Sequence, residues 1–172
     1  HGGLARASPK LMAVTTDIVA TYRGPAAVIR KLLAQGPRED RALVYVMAGC
    51  LIVFVAQLPR LSREAHLTGQ DFQMLMGGTL LAWIFIMPLV LYVLAFVARL
   101  LGRVLGGHGT GYGARLALFW AVLASSPLIL LHGLVAGFIG VGPALTSVGV
   151  VWLSVFGWFW ISGSLAQERA HT

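Results

Sequence analysis

Residues 114–140, ARLALFWAVLASSPLILLHGLVAGFIG, decide the fold. After Arg115 the stretch carries no formal charge. A helix running through it is about 40 Å long at 1.5 Å per residue. A bilayer core is about 30 Å thick, so one perpendicular crossing is too short to use the whole run. Ser125-Ser126-Pro127 stands in the middle. The run is either one tilted, kinked span or two arms hinged at Pro127. Each arm alone is about 20 Å long, short for an ordinary crossing.

The neighbouring blocks have the same character. Residues 42–59, ALVYVMAGCLIVFVAQLP, hold no charge between Arg41 and Arg60. Residues 72–98 form a second apolar block, with Gly77-Gly78 near its start and Pro88 near its middle. Pro88 lacks a backbone donor, which predicts a kink. After a GVGP turn at 140–143 the last block covers 144–166 and holds Trp152, Trp158 and Trp160. These rings suit an aromatic belt or packing inside a dimer. The 172 residues are 58% hydrophobic and 11% charged, with mean hydropathy +0.81. A soluble domain carries about 25% charged residues, so a soluble enzyme is excluded. The expected fold is an all-α polytopic membrane bundle of four spans (42–59, 72–98, 114–140, 144–166), or five if the third run splits at Pro127.

Between the spans lie the pieces that set orientation. Residues 1–11 show no periodicity and read as a tag or leader remnant before Met12. Residues 12–41 form a cytoplasmic segment: a short helix, a break at Gly24-Pro25, then an amphipathic helix over Pro25–Gln35. Val28, Ile29, Leu32 and Leu33 make its apolar face, and Gly36-Pro37 turns the corner into the first span. Arg30, Lys31, Arg38 and Arg41 are the candidate lipid-surface cations, placing this helix in the headgroup plane with its apolar face covered by lipid or by the ends of the bundle. Residues 60–71 read as a polar loop, residues 106–113 as a flexible glycine-rich connector, and 167–172 as a tail. With four spans, eleven Lys and Arg fall on one side and two on the other, which puts both termini in the cytoplasm. The net charge of +7 is that bias and not a nucleic-acid surface.

Chemistry is sparse. Asp17, Glu39, Asp40, Glu64, Asp71 and Glu168 all lie outside the spans. No carboxylate relay, HExxH, CxxC or phosphate loop is present, so no catalytic residue, metal or cofactor is expected. Lone Cys50 reads as a packing residue. His132, inside the third run, is neutral at that depth and needs a partner for its ring N–H. It reads as an interhelical bond or as a polar site shared with a ligand. Ala117, Ala121 and Ser125 recur every four residues, as do Gly133 and Gly137, and such faces let helices approach closely. Pro88 and Pro127 are the kink positions.

Two stretches carry a resemblance. GPAAVIRKLL at 24–33 leads into the first span, and YGARLALFW at 112–120 follows a glycine-rich loop and runs into Ser126-Pro127. Over about residues 13–166 the chain resembles bacterial members of the YIP1 family, the alphaproteobacterial versions most. The resemblance implies five spans and no catalytic residues. It implies a protein of the bacterial inner membrane, while the absence of buried acids, metal ligands and nucleotide motifs, together with the close-packing faces, predicts a non-enzymatic scaffold or accessory subunit that binds another membrane protein, itself or lipid. The alternative is a small oligomeric transporter or channel, in which Pro88 and Ser125-Ser126-Pro127 open broken helices. No soluble small-molecule substrate is evident.

Overall fold

The computed structural model describes the backbone of residues 2–169 and the side chains of residues 12–169. Its helices are α1 (Gly2–Thr21), α2 (Pro25–Ala34), α3 (Glu39–Thr68), α4 (Phe72–Leu81), α5 (Met87–Val104), α6 (Gly111–Ala124), α7 (Ser126–Phe138) and α8 (Pro143–Arg169). A π-helical turn, Ala82–Ile86, joins α4 to α5 without a break. Among the described residues there is no strand. Three helices are long and apolar enough to cross a membrane: α3, the run Phe72–Val104, and α8. A fourth crossing exists if α6 and α7, bent by 44°, count as one.

Helix α6 is the axis of the bundle. Leu116, Ala117, Leu118, Phe119, Trp120 and Ala121 are all at most 1% exposed. A helix apolar on every side belongs inside, and α3, α5 and α8 surround this one. Tyr45 of α3 sets its ring edge-on to Trp120 at 5.1 Å, and Tyr92 of α5 does the same to Phe119 at 4.8 Å. The outer helices turn apolar side chains the other way. Val44, Leu51, Phe85, Leu89, Leu153 and Ile161 are exposed. In water such a surface aggregates; in a bilayer it is the lipid face.

Several boundaries differ from expectation. The first span does not stop at Pro59: α3 continues to Thr68. Proline removes only its own donor, and the Arg60–Glu64 pair one turn on supports the helix beyond it. The expected loop over 60–71 shrinks to three residues. Gly69, at φ 73°, closes α3, and the Asp71 carboxylate accepts from the Gln73 N–H to open α4. Pro88 gives no broken helix either. Met87 N–H bonds the Ala82 carbonyl, five residues back, and this widened turn accommodates the proline ring.

The third run does break, at Ser125, two residues before Pro127. Pro127 has no N–H for the Leu123 carbonyl. Leu128 N–H reaches the Ser125 carbonyl instead of that of Ala124. The freed Ala124 carbonyl accepts the Tyr22 hydroxyl at 2.7 Å. The result is a 44° bend and not the hairpin at Pro127 that five spans require.

At the N-terminal end, the backbone of residues 2–11 is helical and continuous with 12–21, although their sequence shows no periodicity. Helix α2 ends at Ala34 and residues 35–38 make the corner. Its burial is one-sided: Val28, Ile29 and Leu32 are buried, while Arg30 and Lys31 are exposed. The apolar face meets protein rather than lipid, joining the core formed with α3, α6 and α8. Gly163 is the reason α8 comes this close, since a β-carbon there would lie 3.2 Å from Ile29 Cγ1 and 3.4 Å from Ala117 Cβ. Residues 170–172 of the expected tail lie outside the described residues.

Candidate functional site: a cavity beside the broken helix

The bend leaves a space. A cavity of about 640 Å³ opens between α3, the Phe72–Val104 run, α7 and α8. Its wall is mostly apolar, including Cys50, Leu91, Val122, Ile129 and Phe156. His132, Gln57, Thr146 and Trp83 supply the polar groups. The His132 ring sits opposite Gly149, whose hypothetical β-carbon would be 3.6 Å from Nε2. Among the described residues, no Asp, Glu, Lys or Arg lines this cavity. Its size falls within the usual range for small-molecule sites, about 300–1,000 Å³.

The small residues divide between two jobs. Ala117, Ala121 and Ser125 are buried on α6. Gly133 and Gly137 face α3, and a methyl at Gly133 would overlap the Ala56 carbonyl oxygen, while one at Gly137 would overlap Pro59. That seam brings α7 against α3 and holds one wall of the cavity. The other wall is held by Trp152, whose Nε1–H donates to Ser125 Oγ at 3.2 Å; Ser125 in turn donates to the Val122 carbonyl at 3.1 Å. Pro88 is buried, and Pro127 is exposed in the first turn of α7.

A polar clasp ties the N-terminal segment to the break. Trp120 Nε1–H donates to Thr21 Oγ1 at 3.0 Å, Thr21 donates to the Asp17 carbonyl, and the Asp17 carboxylate pairs with Lys31 at 2.8 Å. Lys31, expected at the lipid surface, therefore has a protein partner. Arg41 bonds Gln35, while Arg30 and Arg38 are exposed. Burial pushes the Tyr22 phenol above its ordinary 10.0. Below pH 10 the phenol is protonated in both folded and unfolded chains; above it the unfolded chain ionises first. The contact's stabilisation is therefore present below pH 10 and falls as pH climbs past it. Replacing Tyr22 by Phe removes the bond to Ala124 and is expected to cost about 1 kcal/mol. Comparing the pH dependence of unfolding in both proteins checks the assignment, since the variant's stability should fall less steeply above pH 10, the other buried phenols keeping their share.

The glycine-rich stretch is not the free connector it resembles. Gly107, Gly109 and Gly113 lie against Gln167 and Glu168, where β-carbons would collide with those side chains. Glu168 Oε2 accepts the Gly109 N–H at 2.8 Å, and Thr110 caps α6 by accepting from Gly113 N–H. Arg115 pairs with Glu39, joining α6 to the start of α3. A hydrogen bond to a charged group contributes about 1.5–3 kcal/mol. Glu168→Ala should therefore speed hydrogen exchange at the Gly109 amide by roughly ten-fold or more.

His132 was legible as a polar residue inside an apolar run, but the clasp was not. Nothing in sequence spacing links Tyr22 to Ala124, or Gly109 to Glu168. Gln57 and Thr146 lie at span ends, where polar residues draw no notice. Comparison with protein-family models, curated proteins and solved structures finds no match for this chain.

Proposed function

We propose that the chain is a non-enzymatic membrane protein of the YIP1 type, a scaffold or accessory subunit that docks another membrane protein or a second copy of itself. The observation that carries this is the outer face of α8. Val150, Leu153, Trp158, Ile161 and Leu165 are exposed there at helical spacing. Gly157 sits among them with open space around it. A glycine notch flanked by large apolar side chains suits close approach of a second transmembrane helix.

The reading includes four crossings with α6 and α7 as one broken span. A 44° bend keeps the two arms advancing, and end to end they reach about 35 Å, enough for a bilayer core of about 30 Å. The Lys and Arg excess supports an N-terminus on the cytoplasmic side, and the YIP1-type reading supports a bacterial inner membrane. Arg30 and Arg38, exposed beside the first crossing, fit the headgroup layer.

Affinity purification from native membranes tests the reading. A stoichiometric membrane protein or second copy is expected with the unmodified chain, reduced at least ten-fold by Gly157→Leu. A solitary monomer in mild detergent overturns it. A transporter is the second reading, favoured by the broken helix and by His132 on the cavity wall. Solute flux into liposomes that rises above the protein-free leak, and falls in His132→Leu, would replace the first reading with this one.

A further inference from the structure

Polar capacity gathers at one end of the cavity. Gln57 lies on the Thr68 half of α3, His132 six residues before α7 ends, and Thr146 three residues after α8 begins. All three therefore sit towards the 139–143 turn. Cys50, Leu91 and Phe156 form the opposite, apolar end. His132 makes no hydrogen bond to a described residue. Gln57 accepts from Arg60 Nε at 3.1 Å, which leaves its amide hydrogens unspent. Trp83 Nε1–H also has no described partner. Thr146 donates to the Gly142 carbonyl, so its hydroxyl hydrogen is spent. The unpaired donors are the His132 ring N–H, the Gln57 amide and the Trp83 indole, and polar donors left unpaired at membrane depth are costly.

Chemistry and charge select the occupant. A transmembrane helix has its backbone carbonyls bonded internally, so it brings few free acceptor oxygens to His132 and Gln57. The wall carries no formal charge, so it offers nothing to hold an ionised group. A flexible hydrocarbon chain ending in neutral acceptor oxygens meets both limits. The cavity lies among lipid-facing helices, so its supply is the bilayer itself.

We infer that this cavity holds one acyl chain of a membrane glycerolipid, with its ester carbonyl accepting from His132 and Gln57 and its hydrocarbon end lying towards Cys50 and Phe156. The site shares Val150 and Leu153 with the α8 face, but the inference rests only on the chain's residence in a membrane.

The test uses the full chain, purified in mild detergent, delipidated, and offered ester-linked or ether-linked phosphatidylethanolamine of equal chain length. Native mass spectrometry counts retained lipid. The unmodified chain should hold one lipid, preferring the ester form, whose carbonyl the ether form lacks, by at least three-fold. His132→Leu, similar in volume, should abolish that preference. Gly149→Phe fills the space opposite His132 and should cut occupancy ten-fold or more. Gly77→Phe, in open space on α4, should change neither. Equal retention by all four proteins, or no ester preference in the unmodified chain, overturns the inference. So does a dimer that Gly149→Phe converts to monomer without altering retained lipid, since the occupant is then a second copy. Partner capture that persists in Gly149→Phe separates failure here from failure of the α8 reading.

Discussion

Trp120→Ala is expected to cost about 3–5 kcal/mol, the range for emptying a large aromatic site in a packed core. Trp120 is 1% exposed at the middle of α6, the helix around which the others pack. Its loss removes the ring from Tyr45 and the donor from Thr21 Oγ1 together. Thr21 is fully buried and still donates to the Asp17 carbonyl, so its free lone pair adds less than an orphaned donor would. The cavity term dominates. Trp120→Phe keeps most of the volume and is expected to lose about 1–2 kcal/mol, chiefly the hydrogen bond. Unfolding in mixed micelles by increasing SDS measures both. Equal midpoints for the two variants would mean that the ring volume is not what holds α1 and α3 to α6.

Gly133→Ala is the second large effect, through excess bulk rather than loss. The added methyl meets the Ala56 backbone carbonyl, which cannot swing aside as a side chain does. Overpacking of this kind costs about 1–3 kcal/mol, and the upper end is expected because both surfaces are backbone. Alanine is the better helix former by about 1 kcal/mol, so the same change at an open glycine stabilises. Gly77→Ala, in open space on α4, is the matched control for folding. A lowered SDS midpoint for Gly133→Ala beside an unchanged or raised one for Gly77→Ala locates the α3–α7 seam. Gly137→Ala should follow Gly133→Ala, since its methyl meets Pro59 on the same helix.

The apolar blocks were legible because lipid leaves so few options: a spanning segment must satisfy its backbone internally, and a helix does so. Block ends were harder to read. Pro59 looked like a terminus, yet one missing donor does not stop a helix whose next turn carries the Arg60–Glu64 pair. Pro88 was legible as a disturbance of its helix, and a π turn accommodates it without ending the run. Pro127 did break its run, because buried groups take up the freed carbonyls: Ser125 Oγ bonds that of Val122, and the Tyr22 hydroxyl bonds that of Ala124. Whether a proline bends or breaks a helix is decided by residues far away in sequence. Tyr22 and Ala124 are 102 positions apart. The basic helix α2 was legible as amphipathic, and of the two covers open to its apolar face it takes the bundle, where Gly163 leaves room for Ile29. The glycine stretch at 106–113 misled for a related reason. Glycine reads as flexibility, and here several of those glycines make room for Gln167 and Glu168.

The central claim is that α6 and α7 form one broken crossing, which makes four crossings and puts both ends of the chain on the same side. Cysteine accessibility tests it directly. Cys50, buried and the one native cysteine, is first replaced by Ala. Single cysteines then go to exposed positions at Gln35, Gln70, His108 and Val141. In sealed, oriented vesicles, a membrane-impermeant maleimide should label Gln35→Cys and His108→Cys from one side, and Gln70→Cys and Val141→Cys from the other. Labelling of Val141→Cys from the same side as His108→Cys would contradict the account, making the pair re-entrant and leaving three crossings.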